Sequence, residues 1–92
     1  MIVSFRHKGL QRLYEMDSAA GVRADQLARL RRILSILDCI ESASEARLPG
    51  LRLHSLKGEL AGYWSLSVSG NWRVVFRMEG SDVAQVDLQD YH

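Results

Sequence analysis

Residues 64–78 read Trp64-Ser65-Leu66-Ser67-Val68-Ser69-Gly70-Asn71-Trp72-Arg73-Val74-Val75-Phe76-Arg77-Met78, and their pattern decides the fold. Trp64, Leu66 and Val68 alternate with three serines. After Gly70-Asn71, Trp72, Val74, Phe76 and Met78 alternate with Arg73, Val75 and Arg77. A period of two around a turn dipeptide predicts a β-hairpin with one apolar face. Side chains two apart share a face, so Arg73 and Arg77 belong opposite Trp72, Val74, Phe76 and Met78. A slip of one residue would reverse that assignment. Trp64 and Trp72 fall on the apolar face and read as core, not as platforms for stacking bases.

Outward from the hairpin, Gly80-Ser81 is a turn, and Val83 to Leu88 is a last strand leading to Asp90-Tyr91-His92. Leu51-Arg52-Leu53-His54 reads as a further short strand, and Ile2 to Phe5 as another. Before Pro49 the period lengthens to that of a helix. Leu27, Leu30, Ile33, Leu34, Leu37 and Ile40 form one stripe over residues 24–42. Asp25 suits the positive end of that helix's dipole. Leu10, Leu13 and Tyr14 mark a shorter helix over residues 7–15. The loop 17–21 ends on Gly21, which can take a positive φ. Pro49-Gly50 closes this half. The pattern predicts one α+β domain over residues 1–92. An N-terminal helical hairpin packs on one face of a small twisted, mainly antiparallel β-sheet.

Ninety-two residues suffice for a single two-layer core, burying roughly 60–70% of the unfolded surface. At 47% hydrophobic and 25% charged, the composition is that of a globular chain. The one cysteine, Cys39, excludes an intrachain disulfide and a cysteine-built zinc site, and its apolar neighbours suggest burial. No stretch reads as a signal peptide or a membrane helix, so a cytoplasmic protein with no membrane partner is expected. Net charge is +1, which by itself predicts no nucleic-acid binding. It is unevenly spread: residues 1–57 carry ten Lys/Arg against six Asp/Glu, and residues 58–92 two against five. The basic half either faces phosphate or is a solvated helix face bearing Arg29, Arg31 and Arg32.

The chemistry-bearing residues are His54, Lys57, Arg73, Asp90, Tyr91 and His92, all expected near neighbouring strand ends. Arginine keeps its charge and offers a planar fork matched to two phosphate oxygens, which makes Arg73 the choice for phosphate binding. Lys57 can stabilise charge or act as a base. Histidines trade protons near neutral pH, so His54 and His92 are proton carriers. Tyr91 can donate a proton or stack on a base. Asp90 suits orienting a histidine or tyrosine. His7 has no such company and reads as a surface residue. No group suggests a metal or cofactor. The mixture fits cleavage of a phosphodiester, and RNA carries its own nucleophile in the 2′-OH. Such a reaction needs one proton removed, one donated, and phosphoryl charge stabilised. Acid and base groups each give about 10²–10⁴-fold.

These residues, in this order, resemble the HigB-type toxins of the RelE/ParE toxin–antitoxin superfamily. The resemblance rests on Leu48-Pro49-Gly50-Leu51-Arg52-Leu53-His54-Ser55-Leu56-Lys57-Gly58, Gly62-Tyr63-Trp64-Ser65, Gly70-Asn71-Trp72-Arg73-Val74-Val75-Phe76 and Asp90-Tyr91-His92. The opening Ser4-Phe5-Arg6-His7-Lys8-Gly9-Leu10 is similar too. The resemblance implies a RelE-like fold and a ribosome-dependent mRNA endoribonuclease that needs no metal. The implied step is 2′-OH attack on the adjacent phosphate, giving a cyclic phosphate. It also implies a HigA-like helix-turn-helix antitoxin as partner, operator DNA bound through that antitoxin, and His54, Lys57, Arg73, Asp90, Tyr91 and His92 in the active site. Arg29, Arg31, Arg32 and Arg77 are the expected contacts to RNA or ribosome. Two alternatives share the scaffold: a ParE-like binder that inhibits DNA gyrase, and a non-catalytic corepressor acting with its antitoxin.

Overall fold

The computed structural model describes residues 1–91, so the expectation for His92 lies outside the described residues. Two helices, α1 (Lys8–Met16) and α2 (Leu27–Cys39), precede four strands, β1 (His54–Ser55), β2 (Tyr63–Ser69), β3 (Trp72–Glu79) and β4 (Asp82–Asp90). The strands form an antiparallel sheet in chain order. Residues 2–5 extend it beyond β4 through two parallel bridges, Ile2 to Val83 and Phe5 to Val86. The expected α+β architecture is present.

The register matches the alternation. Trp64 faces Phe76 and Leu66 faces Val74, while Ser67 faces Arg73 and Tyr63 faces Arg77. The apolar row packs against the helices. Leu30, Ile33, Leu34 and Leu37 of α2 join Leu66, Val68, Val74, Phe76, Val83 and Val86 in one core, with both tryptophans packed on its margin. The open face of the sheet carries Ser65, Ser67, His54 and Arg73, whereas Ser69, past a bulge at Val68, pairs with Trp72 and meets Gln26 of the helix layer.

Four details depart from the sequence expectations. The segment expected to be one helix over 24–42 begins with a 3-10 turn at Ala24–Gln26 and ends at Cys39. Ser42 and Glu45 form a capping box that starts a separate short turn, Ala43–Ala46, and Ile40 is already extended. Cys39 is exposed, because at the helix end it turns away from buried Leu37. The strand expected over 51–54 shrinks to His54–Ser55, since Arg52 has a φ of 52°, outside the strand region. His7, expected as a plain surface residue, caps α1: its Nδ1 accepts from Leu10 N–H at 3.1 Å.

Gly21 is needed for space, not for a positive φ. A Cβ built on Gly9 would lie 2.2 Å from the Gly21 carbonyl oxygen, and one on Gly21 would lie 2.6 Å from the Gly9 Cα. Alanine usually stabilises a helix relative to glycine by about 0.5–1 kcal/mol. At Gly9 the sign reverses: Gly9→Ala is expected to cost about 1–3 kcal/mol by overpacking, read as a lower urea midpoint.

One polar network ties the layers. Asp38 on α2 accepts from Tyr14 Oη at 2.6 Å and from Ile2 N–H at 3.1 Å. The bond to Asp38, with burial and nearby negative charge, pushes the Tyr14 hydroxyl up to about 12. The same bond holds Asp38 below its ordinary value, against the effect of burial. The carboxylate's stabilisation is therefore present above the usual carboxylate range and lost as pH falls through its lowered pKa. The phenol's is present below its ordinary value near ~10 and lost as pH rises towards about 12. Tyr14→Phe should cost about 1 kcal/mol at neutral pH. The difference in urea midpoint between variant and wild type should narrow at both pH extremes.

Candidate active site

The open face and the segment before β1 enclose a cleft of about 430 Å³, lined by Arg52, His54, Leu56, Ser65, Ser67, Arg73 and Tyr91. Cross-strand pairing builds its floor. His54 lies opposite Ser65, and Ser67 lies opposite Arg73. The serines are small, so the floor is low between the histidine and the arginine. Among the described residues, two arginine side chains line the cleft and no carboxylate does, which suits it to an anion.

Arg73 is anchored by its own turn. Its Nη1 donates to the Gly70 carbonyl at 3.0 Å and to the Trp72 carbonyl at 3.1 Å, leaving the rest of the guanidinium for a ligand. Tyr91 is held at the same turn, its N–H donating to the Asn71 carbonyl at 2.8 Å. The C-terminal segment is thus pinned beside Arg73.

The structure brings His54, Arg73 and Tyr91 together. Lys57 is exposed, one residue beyond Leu56, and does not line the cleft. Asp90 lies opposite Trp72 in the register, in the row next to that of Arg73 and Gln89. Of the four arginines expected to contact RNA or ribosome, three have their charge engaged within the protein. Arg31 pairs with Asp17 at 2.9 Å, and Arg77 pairs with Glu79 at 2.5 Å beside the Tyr63 ring. Arg29 donates to the carbonyls of Ser67 and Gly50. Arg32 is exposed.

Arg52, Ser65 and Ser67 were not among the expected site residues. The signal for Ser65 and Ser67 is parity, as they alternate with buried Leu66 and Val68. Arg52 lies outside β1 with a left-handed φ, so strand alternation does not place it. The second cleft, about 330 Å³ between the helices, holds Tyr14, Asp17, Arg31 and Asp38 and is remote in sequence from these groups. Among the described residues, no helix is long and apolar enough to cross a membrane.

The chain is similar to known proteins over nearly all of its length. The HigB-like toxin family, described as the RelE-like toxin of type II toxin–antitoxin system HigB, matches residues 3–92. The chain is 38% identical over 92 residues to Endoribonuclease HigB of Proteus vulgaris, covering all of both chains. It is 33% identical over 79 residues to Toxin HigB-1 of Vibrio cholerae, covering 84% of this chain and 83% of that one. In fold it is similar to the toxin structure solved as the YoeB-YefM complex from Staphylococcus aureus, with a TM-score of 0.61 at 16% identity over 100% and 98% of the two chains. It is also similar to a YoeB/ParE toxin from Agrobacterium tumefaciens, with a TM-score of 0.56 at 22% identity over 100% and 99%. The match across nearly the whole chain, together with the fold, shows that the protein belongs to the HigB-like toxin family of type II toxin–antitoxin systems.

Proposed function

We propose that this protein is a ribosome-dependent mRNA endoribonuclease that stops translation, held in check by a HigA-like helix-turn-helix antitoxin. The observation that carries the reading is the cleft in which Arg52, His54, Arg73 and Tyr91 meet, with no carboxylate among the described residues of its lining. The full-length similarity to a protein named Endoribonuclease HigB supports the reaction class. The family's place in toxin–antitoxin systems supports the antitoxin, through which operator DNA would be bound.

In this mechanism the ribose 2′-oxygen attacks the adjacent phosphorus. The 2′-O–P bond forms and the P–O5′ bond breaks, leaving a 2′,3′-cyclic phosphate and a 5′-hydroxyl. Arg73, with Arg52, holds the phosphate and the charge that grows on it. Removal of the 2′-OH proton and protonation of the 5′-oxygen fall to the proton carriers His54, Lys57, Tyr91 and His92. Asp90 orients its neighbours. The two arginines of the lining favour the phosphate over competing cations. The work is done in the cytoplasm, where ribosome and mRNA are found.

The test is a translation assay with purified ribosomes and a defined mRNA, mapping the 3′ ends formed. Cleavage within the ribosomal A site, leaving cyclic phosphate ends, is the expected result. Intact mRNA on occupied ribosomes would overturn the reading. An early block of replication on expression would then favour the gyrase-binding alternative, and operator binding by the isolated chain the corepressor.

A further inference from the structure

We infer that Gln26 and Arg29 are positioning residues for the cleft: from the helix layer they fix the end of β2 and the turn that carries Arg73 and Tyr91. This rests on the endoribonuclease reading for its consequence, but not for its geometry. Gln26 ends the 3-10 turn and Arg29 lies in the first turn of α2, and the side chains of both reach the end of β2. Gln26 Nε2 donates to Ser69 Oγ at 3.0 Å. Arg29 donates to the Ser67 carbonyl, from Nε at 3.4 Å and from Nη2 at 3.3 Å, and its Nη2 also reaches the Gly50 carbonyl. One guanidinium therefore joins β2 to the loop that leads into Arg52.

These tethers sit where the sheet is least able to hold itself. The β2–β3 pairing shifts between Ser67 and Ser69, so Val68 is an extra residue and the ladder is locally broken. The hairpin end beyond the bulge is Gly70-Asn71. Its two carbonyls are the acceptors for Arg73 Nη1 and for Tyr91 N–H. A shift of Ser69 is carried directly to both. Ser67, on the other side of the bulge, lines the cleft opposite Arg73.

Gln26 is a poor choice for stability alone. It is 1% exposed, and its Oε1 is buried without a partner among the described residues. Burying an unpaired polar atom is costly, and an apolar side chain of similar size would avoid the cost. Ser69 is exposed, so its hydroxyl can turn to water when the amide is removed. What an apolar residue cannot do is hold Ser69. Gln26→Leu should therefore separate folding from function. Arg29→Lys separates position from charge, because a lysine keeps the charge but lacks the fork that spans two carbonyls.

The test uses the full chain in single-turnover cleavage on saturating mRNA-loaded ribosomes, alongside thermal unfolding. Gln26→Leu and Arg29→Lys are expected to lower the cleavage rate about tenfold or more, towards the roughly hundredfold that an ångström of misplacement can cost. Gln26→Leu should unfold at or above the wild-type temperature. Ser69→Ala should match it, with the double variant no worse than either single one. Wild-type cleavage rates in Gln26→Leu and Arg29→Lys would overturn the proposal. Exchange of the Tyr91 amide in the free protein gives a reading independent of activity, with faster exchange expected in Gln26→Leu. If the wild type itself cleaves nothing, the endoribonuclease reading falls, and unchanged Tyr91 exchange would overturn the tether on its own.

Discussion

Arg73→Ala is expected to lower mRNA cleavage by about 10²–10³-fold, the range for losing one preorganised charge-stabilising group, with the fold intact. The wild-type side chain costs the fold little to replace. It stands on the open face of β3, and its bonds inside the protein go to the Gly70 and Trp72 carbonyls of its own turn. Both carbonyls can turn to water. The loss should fall on the maximal rate, because the phosphoryl group gains charge in the transition state. Arg73→Lys should recover only part of it, since an ammonium cannot grip two phosphate oxygens in a plane while still bonding the turn. The measurements are single-turnover cleavage on programmed ribosomes and a urea titration of the same preparation. A folded Arg73→Ala variant cutting at the wild-type rate would remove Arg73 from the site and leave Arg52 as the cation to test.

Much of the fold was legible because the two halves have different periods. The alternation from Trp64 to Met78 sets which side chains share a face, and the observed register keeps that assignment except at Ser69, which the bulge at Val68 moves to the face of Trp72. The stripe from Leu30 to Ile40 became the buried face of the helix layer. Local breaks were harder to read, because they are decided by tertiary partners. Nothing in Leu51-Arg52-Leu53 announces a left-handed Arg52, and nothing in Ala19-Ala20-Gly21 says that Gly9 will lie against it. The turn at Ala43–Ala46 did carry a signal, since Ser42 and Glu45 have capping-box spacing.

For the site, parity was informative and side-chain reach was not. Arg73 and His54 could be placed on the open face from alternation alone. Arg52 lies outside β1 with a left-handed φ, so strand alternation does not place it; the structure does, in the lining of the cleft. The destination of Arg29 could not be read. Its partners, Ser67 and Gly50, are 38 and 21 residues away in the chain, and only the packed structure brings their carbonyls to the helix. A helix arginine in sequence looks equally suited to RNA, to a carboxylate or to solvent. Here its head is bonded to backbone carbonyls, a destination the sequence did not show.

Phe76→Ala, three residues along the same strand, is expected to show the opposite signature to Arg73→Ala. Phe76 is fully buried at the centre of the core, opposite Trp64 and beside the bulge at Gln85 and Val86. Its replacement removes a ring the sheet and helices cannot close over, at an expected cost of about 3–5 kcal/mol. Domains of this size are stable by only about 5–15 kcal/mol, so the variant should sit near its unfolding threshold at 37 °C. The urea midpoint should fall steeply with the slope unchanged. Phe76→Leu should keep most of the stability, because much of the buried volume remains. Cleavage per folded molecule should stay near wild type at low temperature, since Phe76 faces the helices and not the cleft. If folded Phe76→Ala lost its rate as Arg73→Ala does, the two faces of β3 would not be separable, and the division between core and cleft drawn from the alternation would fail.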